Sequence, residues 1–120
     1  MTYVSVQGQI FPAIITGRLQ DYDWNNRPSK EIKVEMTYAQ ACELFVNEVD
    51  WSIIDIYPIT VEEMNENGEV VVVNKDEETI YDNSDYSVAG DIIDHRNGYV
   101  SIKMGKPTAE ELLSLLEGVL

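Results

Sequence analysis

Cys42 and His95 are the only residues that could form a thiol–imidazole pair in this 120-residue chain, which has one Cys and one His. Such a pair needs an exposed thiolate beside a positive group. Cys42, however, falls among Tyr38, Ala41, Phe45 and Val49, where helical spacing predicts an apolar stripe and a cysteine acting as a small hydrophobe. His95 stands in Asp94-His-Arg-Asn-Gly98, at the mouth of a tight turn, and is expected to face solvent. Asp21-Tyr-Asp23-Trp-Asn25 has the opening spacing of a calcium loop. It lacks the glycine at the sixth position (Asn26) and the glutamate at the twelfth (Ile32), so it is not an EF-hand. Asp82-Asn-Ser-Asp85 is a second oxygen-rich turn, and both read more simply as Asx-turns. Gly105-Lys-Pro-Thr108 lacks the first glycine of a phosphate loop. Paired carboxylates for glycoside hydrolysis must be held roughly 5–10 Å apart across a cleft, and no pair stands out. No catalytic residue, cofactor site or metal site is therefore assigned, and the chain is expected not to be an enzyme.

Charge is the unusual property. The formal net charge is −14, from 22 acids and 8 bases. Fifteen of the acids lie between Glu43 and Asp94, against the single base Lys75, while the flanks balance at seven and seven. Such a surface repels phosphate backbones and acidic lipid headgroups, so direct binding to nucleic acid or membrane is not expected. A protein partner, itself or another, is. Candidate contact residues are Trp24 and Arg27 in a polar loop, types enriched at interface hot spots, and the acids Glu62, Glu63, Glu66, Glu69, Asp76, Glu77 and Glu78; the other reading of Trp24 is a lid folded back on the core. A calcium-dependent binding module is a further possibility.

The elements around these residues indicate one α+β domain over 1–120. Met1–Leu19 reads as two strands, or one long strand kinked near Gly8–Pro12. Asp21–Lys30 reads as loop, and Ile32, Val34 and Met36 alternate as a strand with one wet face. Thr37 and Gln40 form a capping box opening a helix over about 38–48. Trp51–Tyr57 reads as a strand. Asn67-Gly68 suggests a type I′ hairpin between Ile59–Met64 and Val70–Val73, although Thr60 could instead cap a helical turn. Residues 60–80 are thus a protruding acidic hairpin or loop, and the apolar run Val70–Val73 should be covered or paired. A second hairpin at Asn97-Gly98 precedes a helix over about 108–118, capped by Thr108 and Glu111. Its stripe of Leu112, Leu113, Leu116 and Val119 should dock. The expected architecture is a mainly antiparallel sheet with both helices on one face. Gly17–Met36 and Gly90–Met104, each followed by a Thr-capped helix, suggest an internal ββα repeat. No run approaches the roughly 18 apolar residues of a membrane span, and no basic-then-apolar leader opens the chain, so synthesis in a reducing cytosol is expected.

Three stretches carry a family likeness: Gly17-Arg-Leu-Gln-Asp-Tyr-Asp-Trp-Asn-Asn-Arg27; Tyr81-Asp-Asn-Ser-Asp-Tyr-Ser-Val-Ala-Gly90 with Asp94-His-Arg; and Met104-Gly-Lys-Pro-Thr108. Through them the chain resembles small uncharacterised phage and prophage proteins of Gram-positive bacteria, encoded in tail or other structural gene clusters. The resemblance implies a non-enzymatic virion or assembly protein, made in the bacterial host cytoplasm and able to form oligomers. It brings no catalytic motif. The alternative is an acidic inhibitor of a host defence nuclease, of the anti-restriction or anti-CRISPR type. Duplex DNA carries one charge per ~1.7 Å, so mimicry requires the Glu43–Asp94 acids to form one continuous face.

Overall fold

The computed structural model describes residues 1–119. Seven antiparallel strands form one sheet: β1 (Thr2–Val6), β2 (Gln9–Asp21), β3 (Arg27–Glu35), β4 (Trp51–Met64), β5 (Val70–Asp82), β6 (Val88–Asp94) and β7 (Tyr99–Gly105). Two helices, α1 (Tyr38–Leu44) and α2 (Ala109–Val119), complete an α+β chain. The spatial order is β5-β4-β1-β2-β3-β7-β6.

β2 serves two sets of partners. Its first residues, Gln9 to Pro12, pair with β1, and Ala13 onward pairs with β3. Gln7 and Gly8, at φ 46° and 77°, turn β1 into β2. Positive φ at both central residues is the signature of a type I′ turn, whose twist matches that of the strands it joins. Of the two expectations for the N-terminal stretch, two strands is the one observed. Much of the polar segment read as loop is also strand. β2 runs to Asp21 and β3 starts at Arg27, because the intervening residues close a tight turn in which Trp24 and Asn26 both donate their N–H to Asp21 O.

Strand alternation sends one set of side chains to a single buried face. Val4, Val6, Ile32, Val34, Trp51, Val100, Ile102 and Met104 lie there, with Ile32 opposite Ile102 and Val34 opposite Val100. α1 covers them with Ala41, Leu44 and Phe45. The Thr37 capping box is formed: Gln40 N donates to Thr37 Oγ1 at 3.1 Å and Thr37 N donates to Gln40 Oε1 at 3.0 Å. The helix ends at Leu44, short of the expected 48, and the chain reverses through Glu48 at φ 66°. Only Ala41, Leu44 and Phe45 are then needed to fill the space over the sheet, and Cys42 is left exposed, contrary to its expected burial.

α2 differs more. Its capping box forms between Thr108 and Glu111, yet Leu112, Leu113 and Leu116 are exposed, at 48%, 57% and 64%. The expected docking of this stripe is not observed. The side chain of Val119, its fourth member, is outside the described residues.

β4 and β5 make a hairpin with thirteen successive partners, from Ser52 opposite Asp82 to Met64 opposite Val70, without a register shift. β1 accompanies β4 only as far as Asp55, so residues 56–78 form an arm about 30 Å long at ~3.3 Å per residue. The radius of gyration is 19.0 Å, against about 14 Å for a compact chain of this length. The tip is a hairpin and not a capped helical turn, but it is not type I′. Gly68 N–H bonds Asn65 O, Asn65 N–H bonds Glu69 O, and only Gly68 has positive φ. That is a three-residue loop ending in a left-handed glycine.

The second hairpin turn carries Arg96 at φ 61°, a conformation that costs an L-residue with a Cβ roughly 1 kcal/mol. Arg96→Gly is expected to stabilise the protein by up to about 1 kcal/mol, net of the added freedom of the unfolded chain. Thermal unfolding of the pair checks this, and a lower melting temperature for the glycine variant would contradict it.

Candidate functional site

Trp24 and Arg27 are committed to internal packing: of the two readings of Trp24 the lid is the one observed, and Arg27 does not stand on a contact surface. Gly90 and Gly105 leave room for the Trp24 ring: a Cβ at either would lie 2.7 Å from a ring carbon. Arg27 is 4% exposed, and its guanidinium stacks 4.4 Å from the ring centroid. The same group donates from Nε to Trp24 O at 3.2 Å and pairs through Nη1 with Glu111 Oε1 at 2.8 Å. Trp24 is thus a lid over two glycines, and Arg27 a strut tying the β2–β3 turn to the first turn of α2. The Thr108 amide, the larger cause, and Arg27 hold Glu111 below the usual carboxylate range.

Asp21, first residue of the calcium-like spacing, also points inward. Its carboxylate accepts Ser29 Oγ at 2.9 Å and pairs with Lys103 Nζ at 2.8 Å, and it is fully buried. The bond with Lys103 is the main reason its pKa is lowered, against the opposing effect of burial. Ser29 and Lys103 both act on Oδ2, and Oδ1 accepts the Asp23 N–H at 3.2 Å, so each oxygen is engaged by a donor of the chain itself. The second acidic turn is an Asx-turn: Ser84 donates from N and Oγ to Asp82 Oδ1 at 3.0 and 2.6 Å. Among the described residues, no three His, Cys, Asp or Glu side chains group as metal ligands.

Sequence reading did not anticipate the cluster beside this turn. Buried Asn83 accepts from Lys30 Nζ, whose pKa burial lowers. Tyr86 lies between Lys30 and Lys106, at 4.6 and 5.2 Å from its centroid. The signal lay in residues far apart in sequence, Lys30, Asn83, Tyr86 and Lys106, which only the sheet order brings together. His95 is exposed as expected, and Nε2 lies 2.8 Å from Ser101 Oγ.

The acids of the arm are divided by strand alternation. Opposed residues share a face, so Glu62, Asp76 and Glu78 lie on one side, and Glu63 and Glu77 on the other with Lys75. Lys75 is paired with Glu63, while Glu66 and Glu69 belong to the tip. Valines and Ile59 separate these charges. The arm's seven acids are therefore divided between two faces and the tip. Val70–Val73 is paired with β4 on one side only, and Val70 and Val72 are 63% and 68% exposed, so this run is less covered than expected.

Of the hollows on the surface, one of about 640 Å³ beside the β1–β2 turn, at the start of β4 and the end of β5, is lined by Ser5, Gln7, Asp50, Ser52, Asp82 and Ser84. Ser84 holds Asp82 below the ordinary carboxylate range, so this carboxylate is an ionised acceptor and a poor proton donor at neutral pH. A second hollow, beside α2, is open and bordered by Pro107, Glu111 and Leu112.

The chain matches no family model, no curated protein and no solved structure. No helix among the described residues is long and apolar enough to cross a membrane.

Two outcomes are expected from the internal groups. Gly90→Ala and Gly105→Ala, by forcing Trp24 from its seat, should each cost about 1–3 kcal/mol in urea unfolding. An unchanged midpoint would mean that the ring has other room. Asp21→Asn should cost on the order of 2 kcal/mol at pH 7. Because the native pKa of Asp21 is depressed, its contribution is complete above the unfolded value and is lost as pH falls through the native one. The gap between wild type and variant should accordingly close on acidification. A gap that stayed constant with pH would refute the Lys103 pairing as its source.

Proposed function

We propose that this chain is a non-enzymatic interaction subunit that assembles through apolar surface its fold leaves open. The observation carrying this reading is the leucine stripe of α2. Leu112 and Leu116 lie one turn apart on one side of the helix, with Leu113 beside them, and all three face solvent. The uncovered sheet face adds Ile10 and Ile14, at 60% and 67% exposure. Isolated exposed hydrophobes need no explanation, but grouped ones mark contact sites. The elongated arm suits a subunit that reaches toward a neighbour. The family resemblance supplies the setting: a phage particle, in the tail region or its assembly, with synthesis in the bacterial cytoplasm. The partition of arm acids between two faces speaks against the nuclease-inhibitor alternative.

The internal repeat belongs to the same reading. β2–β3–α1 and β6–β7–α2 are each a hairpin followed by a Thr-capped helix, and β3 and β7 meet at the join. As repeats, they would share a helix built to be covered: α1 is covered within the chain, and α2 is left for assembly.

Light scattering after size exclusion tests the proposal. The expected result is a discrete oligomer that persists at high salt, where apolar contacts hold and charge pairs are screened. Leu112→Glu/Leu116→Glu should return it to a 13.6 kDa monomer. A wild-type monomer at every salt concentration would overturn self-assembly through the stripe. Steeply salt-dependent binding to a basic nuclease would favour the inhibitor reading instead.

A further inference from the structure

The outer edge of β5 is unpaired along its length among the described residues. β5 is the terminal strand of the sheet, thirteen residues long, with no proline and no register shift. Natural sheets blunt such edges with bulges, prolines, lysines or a covering element. Here the only lysine of the strand, Lys75, is paired with Glu63 across the arm. At the tip end the edge presents four successive valines.

The hydrogen-bond phase shows which backbone groups are free. Asn65 N–H bonds Glu69 O at the tip, and Ile56 N–H bonds Met1 O on the far side of β4. In an antiparallel ladder bonded and non-bonded pairs alternate, so odd-numbered residues of β4 and β5 bond to one another. Pro58, which lacks an N–H, falls on an even position opposite Asp76, in agreement. Val70, Val72, Asn74, Asp76, Glu78 and Ile80 therefore turn their N–H and C=O groups outward. None of these groups has a backbone partner among the described residues.

We infer that this edge receives an extended segment of a partner protein as an eighth strand, and that the segment is basic. Strand addition takes its affinity from the main chain and its selectivity from alternate side chains. Two features fix the chemistry. Residues 56–78 carry seven acids and one base, so a second copy brings like charge to the same edge, whereas lysine or arginine opposite Asp76 and Glu78 completes cross-strand pairs. Beyond them, Val71 and Val73 call for apolar residues on the other face of the incoming strand. Alternating basic and apolar residues satisfy both. The acids thus keep copies of the chain apart and choose the partner. This inference rests on the chain being an interaction protein, but uses a surface separate from the α2 stripe.

The probe is a capped octapeptide of alternating lysine and valine, titrated by calorimetry at low salt. Binding is expected to weaken at least tenfold with Asp76→Pro, which removes an outward N–H while leaving the bonds to β4 in place. The same loss is expected with Asp76→Lys/Glu78→Lys, and with a peptide N-methylated at alternate residues, which keeps every charge. Val72→Pro is the second edge variant, used if Asp76→Pro alters the circular dichroism of the body. Absence of binding, equal binding of the N-methylated peptide, or indifference to both proline variants would overturn the inference. A wild-type dimer abolished by Asp76→Pro would overturn it too, assigning the edge to a second copy. The Leu112→Glu/Leu116→Glu variant should bind the peptide unchanged. Failure of the peptide with assembly through α2 intact would remove only this inference, whereas failure of that assembly with the peptide still bound would remove only the self-assembly reading.

Discussion

Among the described residues, β2 alone belongs to both halves of the sheet, and the remaining architecture depends on its double use. Up to Pro12 it holds β1, and through β1 the pair β4–β5; from Ala13 it holds β3, and through β3 the pair β7–β6. The buried face runs unbroken across this join, from Trp51 and Val6 to Ile102 and Met104. Through that continuity Trp51 and Val6 of one half and Ile102 and Met104 of the other belong to one apolar core. One seven-residue helix suffices as cover because only the centre of the sheet needs it. The cost is that α2, the arm and the part of the opposite face around Ile10 and Ile14 stand open to solvent.

Within this frame the polar groups have two fates. Near the β2–β3 turn they are turned inward and satisfied: Asp21 by Lys103 and Ser29, Arg27 by Trp24 and Glu111. No buried side-chain nitrogen or oxygen lacks a partner among the described residues. This is how a chain of such high negative charge keeps a charged cluster at its structural corner without a destabilising orphan. On the arm, by contrast, acids stand in solvent, interleaved with valines.

Local rules were legible in the sequence. Both capping boxes, the alternation of β3 and the presence of hairpins at both Asn-Gly pairs follow from residues a few positions apart. Their turn types did not follow, since Asn67 and Asn97 avoid positive φ while Arg96 adopts it. Tertiary choices were less legible. The choice between loop anchor and core lid for Trp24 was not legible, because the glycines that seat it, Gly90 and Gly105, are distant in sequence. Cys42 shared a stripe with Ala41, but a helix ending at Leu44 has too narrow a buried face to include both. The α2 stripe promised a docked helix; periodicity reveals that a face is apolar, not where its cover comes from.

The arm and the body differ in how far apart in sequence their contacts lie. Every strand pairing in residues 57–77 is made by one hairpin, closed through the three-residue loop 66–68, whereas Ile32 and Ile102 must meet across most of the chain. Local pairings form early and reopen singly; distant ones form late and hold cooperatively. The molecule accordingly joins an arm of local pairings to a body of distant ones in one continuous sheet. Its arm can fray inward from the tip, exchanging amide protons with water, while the body remains closed beneath α1.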